Sequence, residues 1–150
     1  MKKSVLFFVF VVFAMVLASC NGAAPAGGEP EVCATDEFGC AKIPAGQTVK
    51  IGMGAPMTGD YASFGVDISQ GAAIAVKDAG TVEGFAFELV AQDDQGAPEG
   101  GAAVANKLAT DPTVVAVAGH IFSGATEAAM PVSDKVGIPM MSPCVTWLLS

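Results

Sequence analysis

The residues with most chemistry to offer lie in or near one stretch, Val114–Thr126, V-V-A-V-A-G-H-I-F-S-G-A-T. Ser123 carries a hydroxyl, and His120, the one histidine of the chain, stands three residues before it. A carboxylate pair, Asp93-Asp94, lies upstream. Serine, histidine and aspartate are the parts of a hydrolase. The nucleophile-elbow pattern, however, needs glycine two residues before and two residues after the serine. Here those positions hold Ile121 and Ala125. An exported hydrolase with Ser123 as nucleophile is therefore the weaker reading, and His120 reads as a packing residue at a strand end. Asp93-Asp94 suggests a metal pair at first sight, but such residues more often close a strand and cap the following loop. Neither a metal nor a cofactor is expected.

A different chemistry fits the same stretch. The run Val114–Val117 is β-branched and short, the mark of a strand buried on both faces. It stops near Gly119, and a helical pattern begins near Ser123. The first N–H groups of a helix have no partner within it, and its dipole is positive at that end. Together with the Ser123 hydroxyl they make one wall of a site for a small carboxylate-bearing solute. Phe64 and Phe122 fall in neighbouring loops, as core or as pocket lining. The run Gly52-Met53-Gly54-Ala55-Pro56-Met57 invites a dinucleotide reading, which fails: Met57 stands where the third glycine belongs, and Pro56 removes a backbone donor.

The elements that must position these residues alternate. Val49–Ala55 is a strand ending at glycine-rich sequence. Ser63–Ala79 is a helix with Ile68, Ala72, Ala75 and Val76 on one face, stopped by Gly80. Phe85–Ala91 is a second strand, and Pro98–Thr110 a second helix with Val104, Ala105 and Leu108 inward. Val114–Ala118 is the third strand. Gly124–Val136 is the third helix, with Ala125, Ala128, Ala129, Val132 and Val136 inward and Pro131 expected to kink or loosen it. Ile138–Ser142 is a fourth strand. This alternation predicts an α/β fold, a doubly wound parallel sheet in order 2-1-3-4. Ligands bind such sheets above the carboxyl ends of the strands, where the order reverses. The loops there are Pro56–Gly65, Gly119–Ser123 and Ser142–Thr146.

The chain has 150 residues, 52% of them hydrophobic. Much of that excess sits in the first 20. Lys2 and Lys3 precede an apolar run, Val5–Ala18, which is short for a membrane span and fits a secretory signal peptide. Leu17-Ala18-Ser19-Cys20 resembles a bacterial lipobox, which implies lipidation at Cys20 and cleavage before it. Removing residues 1–19 from 150 leaves 131, one domain's worth. All 15 acids then face five lysines and no arginine, a balance that excludes a nucleic-acid partner. Asn21–Pro30 holds no large apolar residue and reads as a tether. Cys33 and Cys40, close together in an exported chain, point to a disulfide capping the domain's entrance, worth about 2.5 kcal/mol on the chain-entropy model. A zinc site is the alternative, and no second Cys or His pair accompanies it. Cys144 is left over, unpaired and expected to be buried. The division is thus 1–19 signal, 20–48 lipidated cysteine, tether and cap, and 49–150 part of a lobe. The apolar ending Trp147–Ser150, with no cap or stop signal, suggests a fragment.

Residues 49–146 resemble the branched-chain amino acid (Leu/Ile/Val) binding proteins of ABC importers, in the type I periplasmic-binding fold. The resemblance rests on I-G-M-G-A-P-M-T-G-D-Y-A-S-F-G at 51–65, Q-G-A-A-I-A-V-K-D at 70–78 and D-D-Q-G-A-P-E-G-G-A-A-V-A-N-K-L at 93–108. It continues through G-H-I-F-S-G-A-T at 119–126 and G-I-P-M-M-S-P-C-V-T at 137–146. It implies that Ser123 holds a ligand carboxylate through N–H and hydroxyl, that Thr146 binds the zwitterion, and that Cys144 offers its carbonyl to the ammonium. It implies an aromatic lining at Phe64. Position 144 is usually Ala or Ser in the family, and the larger Cys144 narrows the pocket. It implies an extracytoplasmic, lipid-anchored receptor for an amino acid, with ABC permease subunits as partners, and a second lobe that is not in this sequence. The runner-up is a sensory module of the same fold. Amides, urea and aromatic acids are other solutes that related proteins carry.

Overall fold

The structure, a computed structural model, describes residues 30–144. The signal segment, Cys20, most of the tether and Thr146 lie outside the described residues. The chain divides after Gly39 into two compact units. In the first, a short helix α1 (Glu31–Thr35) ends where the Asp36 carboxylate accepts the Phe38 N–H at 2.9 Å. Cys33 and Cys40 are both disulfide-bonded, as their spacing suggested.

Among the described residues, the second unit is a five-stranded sheet with three helices. Its elements are β1 (Val49–Ala55), α2 (Ala62–Ala79), β2 (Thr81–Val82), β3 (Phe85–Asp93), α3 (Pro98–Ala109), β4 (Val114–Gly119), α4 (Ser123–Lys135) and β5 (Met140–Met141). The strand order is β2-β3-β1-β4-β5. All neighbours are parallel except β2 and β3. The four parallel strands stand in the order predicted. The added strand β2 is a hairpin onto β3. Its two-residue turn, Glu83-Gly84, has φ of +52° and +85°, the left-handed pair that suits the twist of a tight hairpin.

β1 is central, paired to β3 on one side and β4 on the other. Its side chains alternate between two faces. Met53 and Ala55 join Ile121 in one core, with Ile68 and Ala72 of α2 packed against it. On the other face Gly52 leaves room for Leu108, which packs with Val104, Val114 and Val117. Helices therefore cover both faces, the doubly wound arrangement. α3 and α4 pack on each other through small residues. Gly101 lies so close to the Ala125 carbonyl that no Cβ fits, and Ala105, Ala125 and Ala129 are buried.

Three packing expectations change. The buried stripe of α2 is centred on Gly65, with Ile68, Ala72 and Val76 half-buried and Ala75 at its exposed margin. Gly65 tucks against the Pro56 carbonyl and sets that rotation. Val136 is 42% exposed, because α4 ends at Lys135 and Val136 is its cap. Cys144 is free, as expected, but exposed rather than buried, since it lies in the bend beyond β5. α4 runs through Pro131, which faces outward.

Candidate functional site

The carboxyl ends of β1, β3, β4 and β5 carry the candidate site. Asp93 closes β3. One of its oxygens accepts the N–H groups of Met57 and Gln95 at 2.8 and 2.9 Å, and the other accepts the Thr58 hydroxyl at 2.5 Å. It thus clasps the loop after β1 to the loop after β3. Desolvation pushes its carboxyl up; the Thr58 hydroxyl and the N–H groups of Gln95, Met57 and Thr58 outweigh that, and it titrates below the ordinary carboxylate value. The capping role read from the sequence is what Asp93 performs.

Asp94 does more. It is fully buried, with one oxygen accepting the Gly96 N–H at 2.9 Å and the other 2.7 Å from His120 Nδ1. His120 is fully buried too. Its ring occupies the space where a side chain at position 54 would stand, so Gly54 is what admits it. The His120 carbonyl accepts the Ser142 hydroxyl at 2.5 Å and lies 3.1 Å from the Thr126 hydroxyl, which also reaches Phe122 O at 3.0 Å. The tips of β3, β4 and β5 are tied together through one residue. His120 is buried at the strand end, where a packing residue was expected, but its pairing with Asp94 was not foreseen. The G-x-G spacing in β1, which clears space for a ring, was the available signal.

The turn that His120 begins leads into α4. Ser123 is the first helical residue, and Phe122, extended, precedes it. The first bond of the helical ladder runs from Thr126 N–H to Phe122 O at 2.9 Å, so the N–H groups of Ser123, Gly124 and Ala125 precede the ladder. Those three N–H groups, the positive end of the helix dipole and the half-buried Ser123 stand at the carboxyl edge, an arrangement that can stabilise an anion without a buried cation. Phe122 is half-buried. Its ring meets Tyr61 edge-on, centroids 5.0 Å apart at 87°, and it lies over Gly96. Tyr61 is the aromatic that sequence reading missed. Phe64, half a turn into α2, is 60% exposed. The Ser142 bond brings the segment leading to Cys144 to the same edge. The side chains of Phe64 and Cys144 take part in none of these contacts.

The same geometry bears on catalysis. A general base must reach the proton it abstracts. Both His120 and Asp94 have no exposed side-chain surface, so neither meets a substrate. Among the described residues no group of three His, Cys, Asp or Glu is placed to hold a metal ion.

Comparisons with known proteins agree with this architecture. A periplasmic binding protein family model matches residues 48–149. The Leu/Ile/Val-binding protein homolog 1 of Brucella abortus (strain 2308) is 41% identical over 101 residues, covering 65% of this chain and 27% of that protein. The branched-chain amino acid transporter substrate binding protein LivJ of Streptococcus pneumoniae, solved with isoleucine, is 35% identical with a TM-score of 0.63, over 67% of this chain and 30% of that one. A solute binding protein of an ABC transporter from R. palustris, solved with benzoate, is 27% identical with a TM-score of 0.59, over 66% of this chain and 28% of that one. The chain spans between a quarter and a third of the length of each of these proteins. With a family model matching over two thirds of its length, the chain belongs to the periplasmic binding protein family.

Proposed function

We propose that the chain is the first-lobe portion of an extracytoplasmic solute-binding protein that delivers an amino acid to an ABC importer. No bond is made or broken. The observation that carries the reading is the α4 N-terminus at the carboxyl edge of the sheet, with Ser123 as its first residue. Its N–H groups and hydroxyl take the solute carboxylate, each charge-assisted bond worth roughly 1.5–3 kcal/mol. Cys144 takes the ammonium through its carbonyl, Thr146 binds the zwitterion through its N–H and hydroxyl, and Phe64 and Phe122 line the apolar part. Relatives named for leucine, isoleucine and valine support an aliphatic side chain.

In the same reading, residues 1–19 are a signal peptide, Cys20 is lipidated, 20–48 hold the domain off the membrane, and 49–150 belong to the lobe. The partners are permease subunits and the membrane surface. Among the described residues no helix is long and apolar enough to cross a membrane. Cys20→Ser abolishes partition of the protein into detergent; unchanged partition places the anchor elsewhere.

A second reading, an aromatic carboxylic acid as solute, is favoured by the benzoate-bound neighbour and by the Tyr61–Phe122 ring pair at the site. It uses the same carboxylate wall. Calorimetric titration of the full gene product with leucine, isoleucine, valine and benzoate separates the two. Ser123→Ala weakens the preferred solute at least tenfold, and unchanged affinity removes Ser123 from the site.

A further inference from the structure

The buried His120–Asp94 pair touches no solute in the reading above, yet it stands at the start of the turn that makes the solute wall. Its ring nitrogen Nε2 is buried and has no hydrogen-bond partner among the described residues. An apolar side chain would fill the hollow over Gly54 without leaving a nitrogen unpaired. A purely packing role therefore does not explain a histidine there. What the histidine adds is direction. Its side chain is held by Asp94, whose other oxygen is held by the Gly96 N–H. Its carbonyl is held by Ser142, with the Thr126 hydroxyl alongside. Residue 120 is thus fixed at its side chain and at its main chain, three positions before Ser123.

We infer that His120 is a positioning residue for the solute site, acting through one bond, Nδ1–H to the Asp94 carboxylate, that aims the Ile121–Ser123 turn. A carboxylate only accepts hydrogen bonds, so Nδ1 carries a proton; a second proton on Nε2 would be a buried donor with no acceptor among the described residues, so we take Nε2 as the bare nitrogen. The inference deepens the proposed binding function and rests on it for its effect on affinity, but not for the tautomer.

The chain's single histidine makes the tautomer directly measurable, since a 15N-histidine label reports one ring. The expected spectrum of the wild-type chain has a protonated Nδ1 and an unprotonated Nε2; a proton on Nε2 overturns the inference, and this holds even where variants do not fold. Two variants then test the bond. His120→Leu fills the hollow but donates nothing, and solute affinity of the full gene product falls at least tenfold. His120→Asn loses the ring but places an amide N–H near the position of Nδ1–H, and recovers most of that loss. If packing alone matters, the order reverses, with leucine tolerated better than asparagine, and the inference fails. A wild-type protein that binds neither the branched-chain amino acids nor benzoate sinks the binding reading alone. The amide signals of Ser123–Ala125 then decide the inference: displaced in His120→Leu and restored in His120→Asn supports it, and equal in both overturns it.

Discussion

Each edge of the sheet sets a nitrogen donor against an aspartate, to different ends. At the amino edge, Lys50 Nζ of β1 meets Asp111 Oδ2 at 2.7 Å, with 27% and 34% of the side chains exposed. At the carboxyl edge, His120 Nδ1 meets Asp94 Oδ2 at the same 2.7 Å, with both side chains fully buried. Separation is equal and solvent is not. Water screens the first pair and solvates either partner if the other is removed, so it contributes little. The second pair has no water to fall back on, so its weight lies in what its loss leaves behind. The lesson is that the charged edge is replaceable and the sealed edge, next to the proposed solute wall, is not.

Four experiments break or sharpen that contrast. The largest effect belongs to Asp94→Ala, which strands His120 Nδ1 and the Gly96 N–H; a loss of about 4 kcal/mol is expected in urea unfolding. Gly54→Ala comes next. The new methyl overlaps the His120 ring in the central strand, and a loss of about 2 kcal/mol is expected from the thermal midpoint. Lys50→Met, at the other edge, costs less than about 1 kcal/mol by the same measurement. A loss there as large as that of Asp94→Ala would erase the distinction between the edges. The smallest effect is in acid. The Lys50 ammonium, with the Thr113 hydroxyl and N–H, holds the Asp111 carboxyl down at about 2, against 3.8 ordinarily. A lowered carboxyl stabilises the fold above its unfolded value, and the contribution disappears as pH falls from 3.8 through about 2. Urea midpoints taken across that window fall less steeply in Lys50→Met than in the wild type. Asp93, also lowered, titrates in both proteins, so only the difference reports Asp111.

Local patterns made the fold legible. The β-branched run at Val114–Val117, the helix stop at Gly80 and Pro98 at the first position of α3 each act within a few residues, and each stands where expected. The parallel order follows once those elements are placed. The hairpin strand β2 escaped because Thr81-Val82 is only two residues long and carries its signal in the Glu83-Gly84 turn. At the candidate site, the helix start at Ser123 was legible because a helix N-terminus is a local event. The Asp94–His120 pair joins residues 26 apart through a gap left by a third strand; the G-x-G spacing in β1 marks the gap but not which residues meet in it. The Tyr61–Phe122 contact was hidden for the same reason. The rotation of α2, which leaves Ala75 at the margin, depends on Gly65 meeting Pro56, a contact that exists only after the chain has turned.

One structure decides the matter most directly: the full gene product crystallised with its tightest-binding solute. The expected result is a solute carboxylate oxygen about 3 Å from the Ser123 N–H and hydroxyl, at the head of α4. A well-ordered solute bound elsewhere, with that helix end facing only water, would contradict it.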